Sequence, residues 1–206
     1  MAIIKHGNNA LSSVTAFPSA VPTGKPVLLS TATASASSSI EFTSEIDSTY
    51  DVYQFEFINI HPSVDESTFQ FNFSTDSGSN YNVTKTTTAF RSYHDEGNTA
   101  TALAYHPQQD LAQSTGFQTI GFGIGFDNDQ SLSGSMSVFN PSSTTFVKHF
   151  MSNSNLYEDG NFSIQQFIAG YGNTTSAINA IKFQMASGTF DGTIKMYGIS
   201  AWVWLS

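Results

Sequence analysis

Aromatic residues at every second position constrain this chain more than any other feature. Across Thr68–Ser74, Phe69, Phe71 and Phe73 alternate with Thr68, Gln70, Asn72 and Ser74. Across Tyr50–Ile60, Tyr53, Phe55 and Phe57 share one side, with Gln54 and Glu56 on the other. Successive side chains of a strand point to opposite faces, so a period of two lines one face with rings and leaves the other polar. The second pattern slips after Phe57: Ile58 and Ile60 fall on the polar side, which predicts a β-bulge. A polar connector containing Pro62, Asp65 and Glu66 separates the two runs and predicts an antiparallel hairpin.

The same rhythm continues along the chain. Lys85–Tyr93 is Thr-rich and ends in Phe90, Arg91 and Tyr93. Phe117–Phe126 sets Ile120, Phe122, Ile124 and Phe126 against Gly121, Gly123 and Gly125. Ser131–Phe139 sets Leu132, Met136 and Val138 against Ser131, Ser133, Ser135 and Ser137. Thr144–Met151, Asn161–Tyr171, Asn179–Ala186 and Gly192–Trp204 complete the strands. Pro107–Gln113 predicts a short helix with Pro in its first turn. Many short strands, polar turns and no βαβ rhythm predict an all-β fold, an antiparallel β-sandwich of jelly-roll type. Its core is expected to hold Phe55, Phe57, Phe71, Phe122, Ile124, Phe183 and Ile194.

The N-terminal part differs. Residues 10–39 are rich in Ser, Ala and Thr, carry Pro18, Pro22 and Pro26, and lack alternating apolar residues. They predict an extended N-terminal arm over residues 1–39, docking on other chains, ahead of a β-domain over residues 40–206.

Composition narrows the function. Charged residues make up 11% of the chain, against about 25% in ordinary domains, so Ser, Thr, Asn and Gln must supply the polar surface. The formal net charge is -9 with only 7 Lys and Arg. No basic stripe can form, which argues against nucleic acid and against anionic lipid as partners. There is no cysteine, which removes disulfides and thiolate metal sites. No run approaches the ~18 apolar residues of a membrane span, and Met1–Asn9 lacks the apolar stretch of a secretory signal.

Candidate chemistry is thin. Gly121-x-Gly123-x-Gly125 lies within an apolar strand, whereas a phosphate loop must open a helix. Its structural meaning is a strip that lets a neighbour approach closely. Asp127, Asn128 and Asp129 offer oxygens, but a calcium ion needs more from other loops. His6, His61, His94, His106 and His149 form no metal-binding spacing. No Gly-x-Ser-x-Gly elbow occurs, and Glu56 on its aromatic strand reads as a solvent-facing residue. The expectation is a protein that is not an enzyme and holds no cofactor or metal.

The segment Ile181-Lys-Phe-Gln-Met-Ala-Ser-Gly-Thr-Phe-Asp-Gly-Thr-Ile-Lys-Met-Tyr-Gly-Ile199 has the pattern of a closing hairpin. It resembles the closing strands of virion structural proteins encoded by tailed phages of marine bacteria. That resemblance covers about a tenth of the chain. It implies a β-rich virion part, of the tail, fibre or capsid-decoration kind, made in the host cytoplasm and partnered with other virion proteins. Analogy with fibres implies a homo-oligomer, a trimer in particular.

The chain's own residues suggest where such a protein would make contacts. Gly121, Gly123 and Gly125 permit close subunit approach, and Trp202 and Trp204 sit in a terminal run apolar on both faces that needs cover. The alternative function is a carbohydrate-binding β-sandwich that recognises host-surface glycans. Tyr93, Tyr105 and Tyr157, with the two Trp rings, are the available stacking platforms.

Overall fold

The computed structural model describes residues 25–199. Among them every regular element is a strand: β1 (Val27–Ser37), β2 (Ser39–Phe42), β3 (Val52–Pro62), β4 (Ser67–Ser74), β5 (Lys85–Asp95), β6 (Thr101–Tyr105), β7 (Gln118–Ile124), β8 (Leu132–Phe139), β9 (Lys148–Glu158), β10 (Phe162–Gly172), β11 (Ala180–Met185) and β12 (Phe190–Ile199). They form one 12-stranded antiparallel sheet in the order β1-β12-β3-β8-β9-β7-β4-β11-β2, while β10, β5 and β6 extend from β9. The sheet curls into a nearly closed barrel. It turns the corner at β9–β7, where the single pair Ile124↔Glu158 joins the strands, and β1 and β2 approach each other on the far side.

The alternating rings line the inside. Phe183 of β11 lies at the centre, with ring centroids 5.3 Å from both Phe55 and Phe57 of β3 and 6.0 Å from Phe69 of β4. Phe55, Phe57, Phe71, Ile124, Phe183 and Ile194 are all buried as expected, whereas Phe122 is only half-buried.

Both expected hairpins are corrected. β3 pairs with β12 and β8, and β4 pairs with β11 and β7. Two ring-lined runs joined by a short connector can lie side by side or face each other across a core. Facing wins here because each run then buries the other's rings, as Phe57 and Phe69 do at 5.3 Å. The connector after β3 and the connector after β11 cross the barrel end together. Ser63 N–H donates to Thr189 O at 2.9 Å, Thr189 N–H donates to Ser63 Oγ at 2.9 Å, and Ala186 N–H donates to Thr68 O at 2.8 Å.

The bulge occurs where the pattern slips. Register jumps between Phe57 and Ile60 against β8, and between Asp191 and Thr193 of β12 against β3. Asn59 takes a φ of 51°. The extra residue returns Ile60 to the core, fully buried, and leaves Ile58 exposed.

The helix expected at Pro107–Gln113 is replaced by turns. Its polar groups are committed sideways: Gln118 Nε2 donates to Gln109 O at 2.8 Å, and Leu111 N–H donates to Thr87 Oγ1 at 2.8 Å. The expected arm is corrected from Val27 onward. β1 runs beside β12 from Val27↔Gly198 to Ser37↔Phe190, and β2 buries Ile40 and Phe42. Backbone pairing at a sheet edge needs no apolar alternation, which is why this segment carries none. The remaining arm residues, 1–24, lie outside the described residues.

Candidate interaction surface

β8, β9, β10, β5 and β6 lie side by side, and their registers align outward residues into rows. One row runs Ser135, Asn153, Phe167, Phe90, Tyr105. On one side of it lie Ser137, Met151, Ala169 and Thr88, and on the other Ser133, Asn155, Gln165, Ser92 and Leu103. The period of two builds this face. Along β9, Phe150, Ser152, Ser154 and Leu156 turn inward and are buried, so Met151, Asn153 and Asn155 point out.

These rows contain no Asp, Glu, Lys or Arg. The neighbouring part of the sheet differs: Glu56 of β3 stands opposite Lys195 of β12. Within the uncharged rows, Leu103 is 74% exposed, Met151 60% and Tyr105 53%. Phe90 and Phe167 stack on each other, 4.7 Å between centroids and 11° between planes. A groove of about 370 Å³ lies along this pair, lined also by Met151, Asn153, Ser135, Ser137 and Ala169. Apolar atoms dominate the groove, and it carries hydroxyl and amide groups but no formal charge, so it suits contact with another uncharged surface.

The sequence-expected sites are placed as follows. A Cβ at Gly121 would come within 2.1 Å of Leu132 Cδ1, and one at Gly125 within 1.8 Å of Gln130 Oε1. Gly123, at a φ of +78°, packs against the Glu158 side chain. Within this chain the close approach that these glycines permit is to side chains of neighbouring strands and turns. Ile120 and Ile124 of β7 are buried, while Phe126, beyond the end of that strand, is 49% exposed.

The three tyrosines are not brought together. Tyr93 packs edge-on against Phe162 at 5.6 Å, beneath the Arg91 guanidinium. Tyr105 lies in the uncharged row and bonds Asp110 through its hydroxyl. Tyr157 bonds Glu96 at 3.0 Å at the far end of the face. Trp202 and Trp204 lie outside the described residues.

Sequence reasoning passed over two buried cations. Lys85 Nζ donates to Asn72 Oδ1 at 2.5 Å and to Val83 O at 2.8 Å. Burial pulls its pKa down to about 7. Lys148 Nζ donates to Phe146 O at 2.7 Å and Thr174 O at 3.2 Å, and burial lowers its pKa too. A Lys at an inward position of an alternating strand was the available signal. His106 is buried against Phe122, its Nδ1 unpaired among the described residues, and burial followed by the Arg91 charge lowers its pKa. All three are closed to solvent and serve packing.

Among the described residues, no group of three or more His, Cys, Asp or Glu is placed to hold a metal ion. The Asp127–Asp129 segment is a turn closed by Gln130, whose N–H donates to Asp127 O at 2.8 Å. Comparison with family models, with curated proteins and with solved structures found no match to this chain.

Proposed function

We propose that this chain is a non-enzymatic structural protein of a virus particle, of the tail, fibre or capsid-decoration kind, which assembles through its β-domain. In layers, the curled sheet is then a sandwich, with β7, β4, β11 and β2 packed across the core from the broader array. The observation that carries the assembly role is the uncharged outer face of β8, β9, β10, β5 and β6. On a chain of net charge -9, such a face is where another protein can pack without facing like charge. The likeness of Ile181–Ile199 to phage virion proteins supplies the setting.

The test places charge on the face. Met151→Glu with Ala169→Glu leaves the inward residues untouched, so the variant should fold with an unchanged circular dichroism spectrum. It should also fail to enter purified particles, where mass spectrometry finds the parent chain. Normal incorporation of the variant would remove the face from the assembly role, and absence of the parent chain from particles would remove the virion reading.

Host-surface glycan is the alternative occupant. The groove sets Asn153, Ser135 and Thr88 beside the Phe90–Phe167 pair, and sugars use such a mixture of ring and amide contacts. Glycan-array binding that the same double substitution abolishes would favour this reading.

A further inference from the structure

The sheet has open edges at β1, β2 and β6, and they are not alike. An unpaired edge is a template for another strand, and proteins blunt such edges with bulges, charge, proline or shortness. β1 is bulged, with register breaks between Leu28 and Ser30 and between Ala34 and Ser37, and Ala36 takes a φ of 46°. β2 has only 4 residues, and its Glu41 is bridged to Lys182 at 3.0 Å. β6 reads Thr-Ala-Leu-Ala-Tyr, with no charge, no proline and no register break against β5. Among the described residues it pairs with β5 alone.

The hydrogen-bond phase fixes which backbone groups are free. His106 N–H donates to Ala89 O at 2.9 Å, and Asp95 N–H donates to Ala100 O at 3.1 Å. In an antiparallel ladder, bonded and non-bonded pairs alternate. Ala104 and Ala102 therefore aim their N–H and C=O at β5, while Thr101, Leu103 and Tyr105 aim theirs away from the sheet. The same three residues carry their side chains on the uncharged outer face, and Leu103 is 74% exposed.

We infer that β6 is a pairing edge whose occupant is β6 of a second copy of this chain, antiparallel about a two-fold axis through Leu103. The inference deepens the assembly reading by naming one partner and one edge. In this register Leu103 faces the second copy's Leu103 and exchanges both backbone bonds with it, and Thr101 and Tyr105 pair reciprocally. Spacing leaves no other centre with all the free groups bonded. A slip by one residue would set bonded groups against non-bonded ones. The strand itself carries no carboxylate, the pairing makes the two uncharged faces continuous, and Leu103 covers its twin. A strand of 5 residues buries less than the ~1,200 Å² of a stable dimer, so the contact is weak in dilute solution and grows with local concentration.

The test uses the whole chain, which has no cysteine of its own. Leu103→Cys should form a disulfide-linked dimer under mild oxidation, because facing residues of a bonded antiparallel pair lie ~5.5 Å apart at Cα. Thr33→Cys on the bulged β1 edge should stay monomeric. Leu103→Pro removes an N–H that points away from β5, so the β5–β6 ladder survives, and self-association in sedimentation should weaken about tenfold or more. Equal dimer yields from the two cysteine variants, or unchanged self-association of Leu103→Pro, would overturn the inference. The outcome is read without particles. A chain that pairs through β6 yet is missing from virions would sink the virion reading and leave this one standing.

Discussion

Lys85 and Lys148 stand in one row of the sheet, on either side of Gly172. Both side chains run inward, and both end on loop carbonyls rather than on a carboxylate: Val83 O for Lys85, Phe146 O and Thr174 O for Lys148. They tie the loops at one end of the barrel to the strands. Hydrogen bonds to carbonyls satisfy the protons but do not neutralise the charge, so burial depresses both pKa values.

The first prediction is a stability that rises above neutral pH. Lys85 has a folded pKa of about 7 against a usual 10.5. Below the folded value both states are protonated, and the burial penalty is fully present. Between the two values the unfolded chain binds more protons than the folded one, so raising the pH favours folding. Burial raises the Tyr53 and Tyr81 phenols, so above about pH 10 the unfolded phenols ionise first and stability falls again. The melting temperature should climb from pH 7 to pH 9, and Lys85→Met should flatten that climb. A flat profile in the parent chain would show that Lys85 is not held in the cationic penalty described.

The second prediction separates two phenylalanines that look equivalent in sequence. Phe183 contacts rings from β2, β3 and β4, so Phe183→Ala should cost about 3–5 kcal/mol in chemical denaturation. Phe122 is half-buried, and Phe122→Ala should cost clearly less. Equal losses would mean that the β7 face is packed more tightly than its exposure indicates.

The alternation of Phe55, Phe57, Phe69, Phe71 and Phe73 made the strands and their inner faces legible, because period and burial are one fact seen twice. Partnership was not legible. A polar connector such as 63–66 has the length of a hairpin loop, and nothing in it distinguishes a turn within a sheet from a crossing between its walls. The Gly121–Gly125 strip announced a close neighbour without saying whose. β1 was hidden because an edge strand is held by backbone bonds to β12, which leave no trace in Ser, Ala and Thr. The uncharged face could be seen only after register placed Met151, Phe167, Phe90 and Leu103, which are far apart in sequence, on one side of neighbouring strands.

The third prediction concerns the crossing at the barrel end. Gly188 has a φ of +72°, and a Cβ there would lie 2.7 Å from Val64 Cγ2 and 2.8 Å from Ser63 Oγ. Left-handed backbone and the clash act together, so Gly188→Ala should cost about 1–3 kcal/mol. Gly97 has an ordinary φ, and a Cβ there would meet only the edge of the Asp95 and Thr99 side chains, so Gly97→Ala should be tolerated far better. Comparable melting temperatures for the two variants would contradict the crossing geometry.

The last prediction concerns what holds β6 in place. The β5–β6 connection is organised by one carboxylate. Asp95 accepts from Thr99 N–H at 2.8 Å, Thr99 Oγ1 at 2.5 Å and Ala100 N–H at 2.7 Å. The Thr99 hydroxyl, followed by the Ala100 amide, holds the Asp95 pKa down to about 2. A depressed carboxyl supports its loop above its ordinary value of 3.8 and releases it as pH falls through the folded value, so β6 should stay docked through mildly acidic conditions. Asp95→Ala removes the acceptor at every pH. In hydrogen exchange the Ala102 and Ala104 amides, which aim at β5, should lose protection in this variant, while the β9–β10 ladder keeps its own. Unchanged protection at Ala102 and Ala104 would mean that the ladder to β5 holds β6 without its turn.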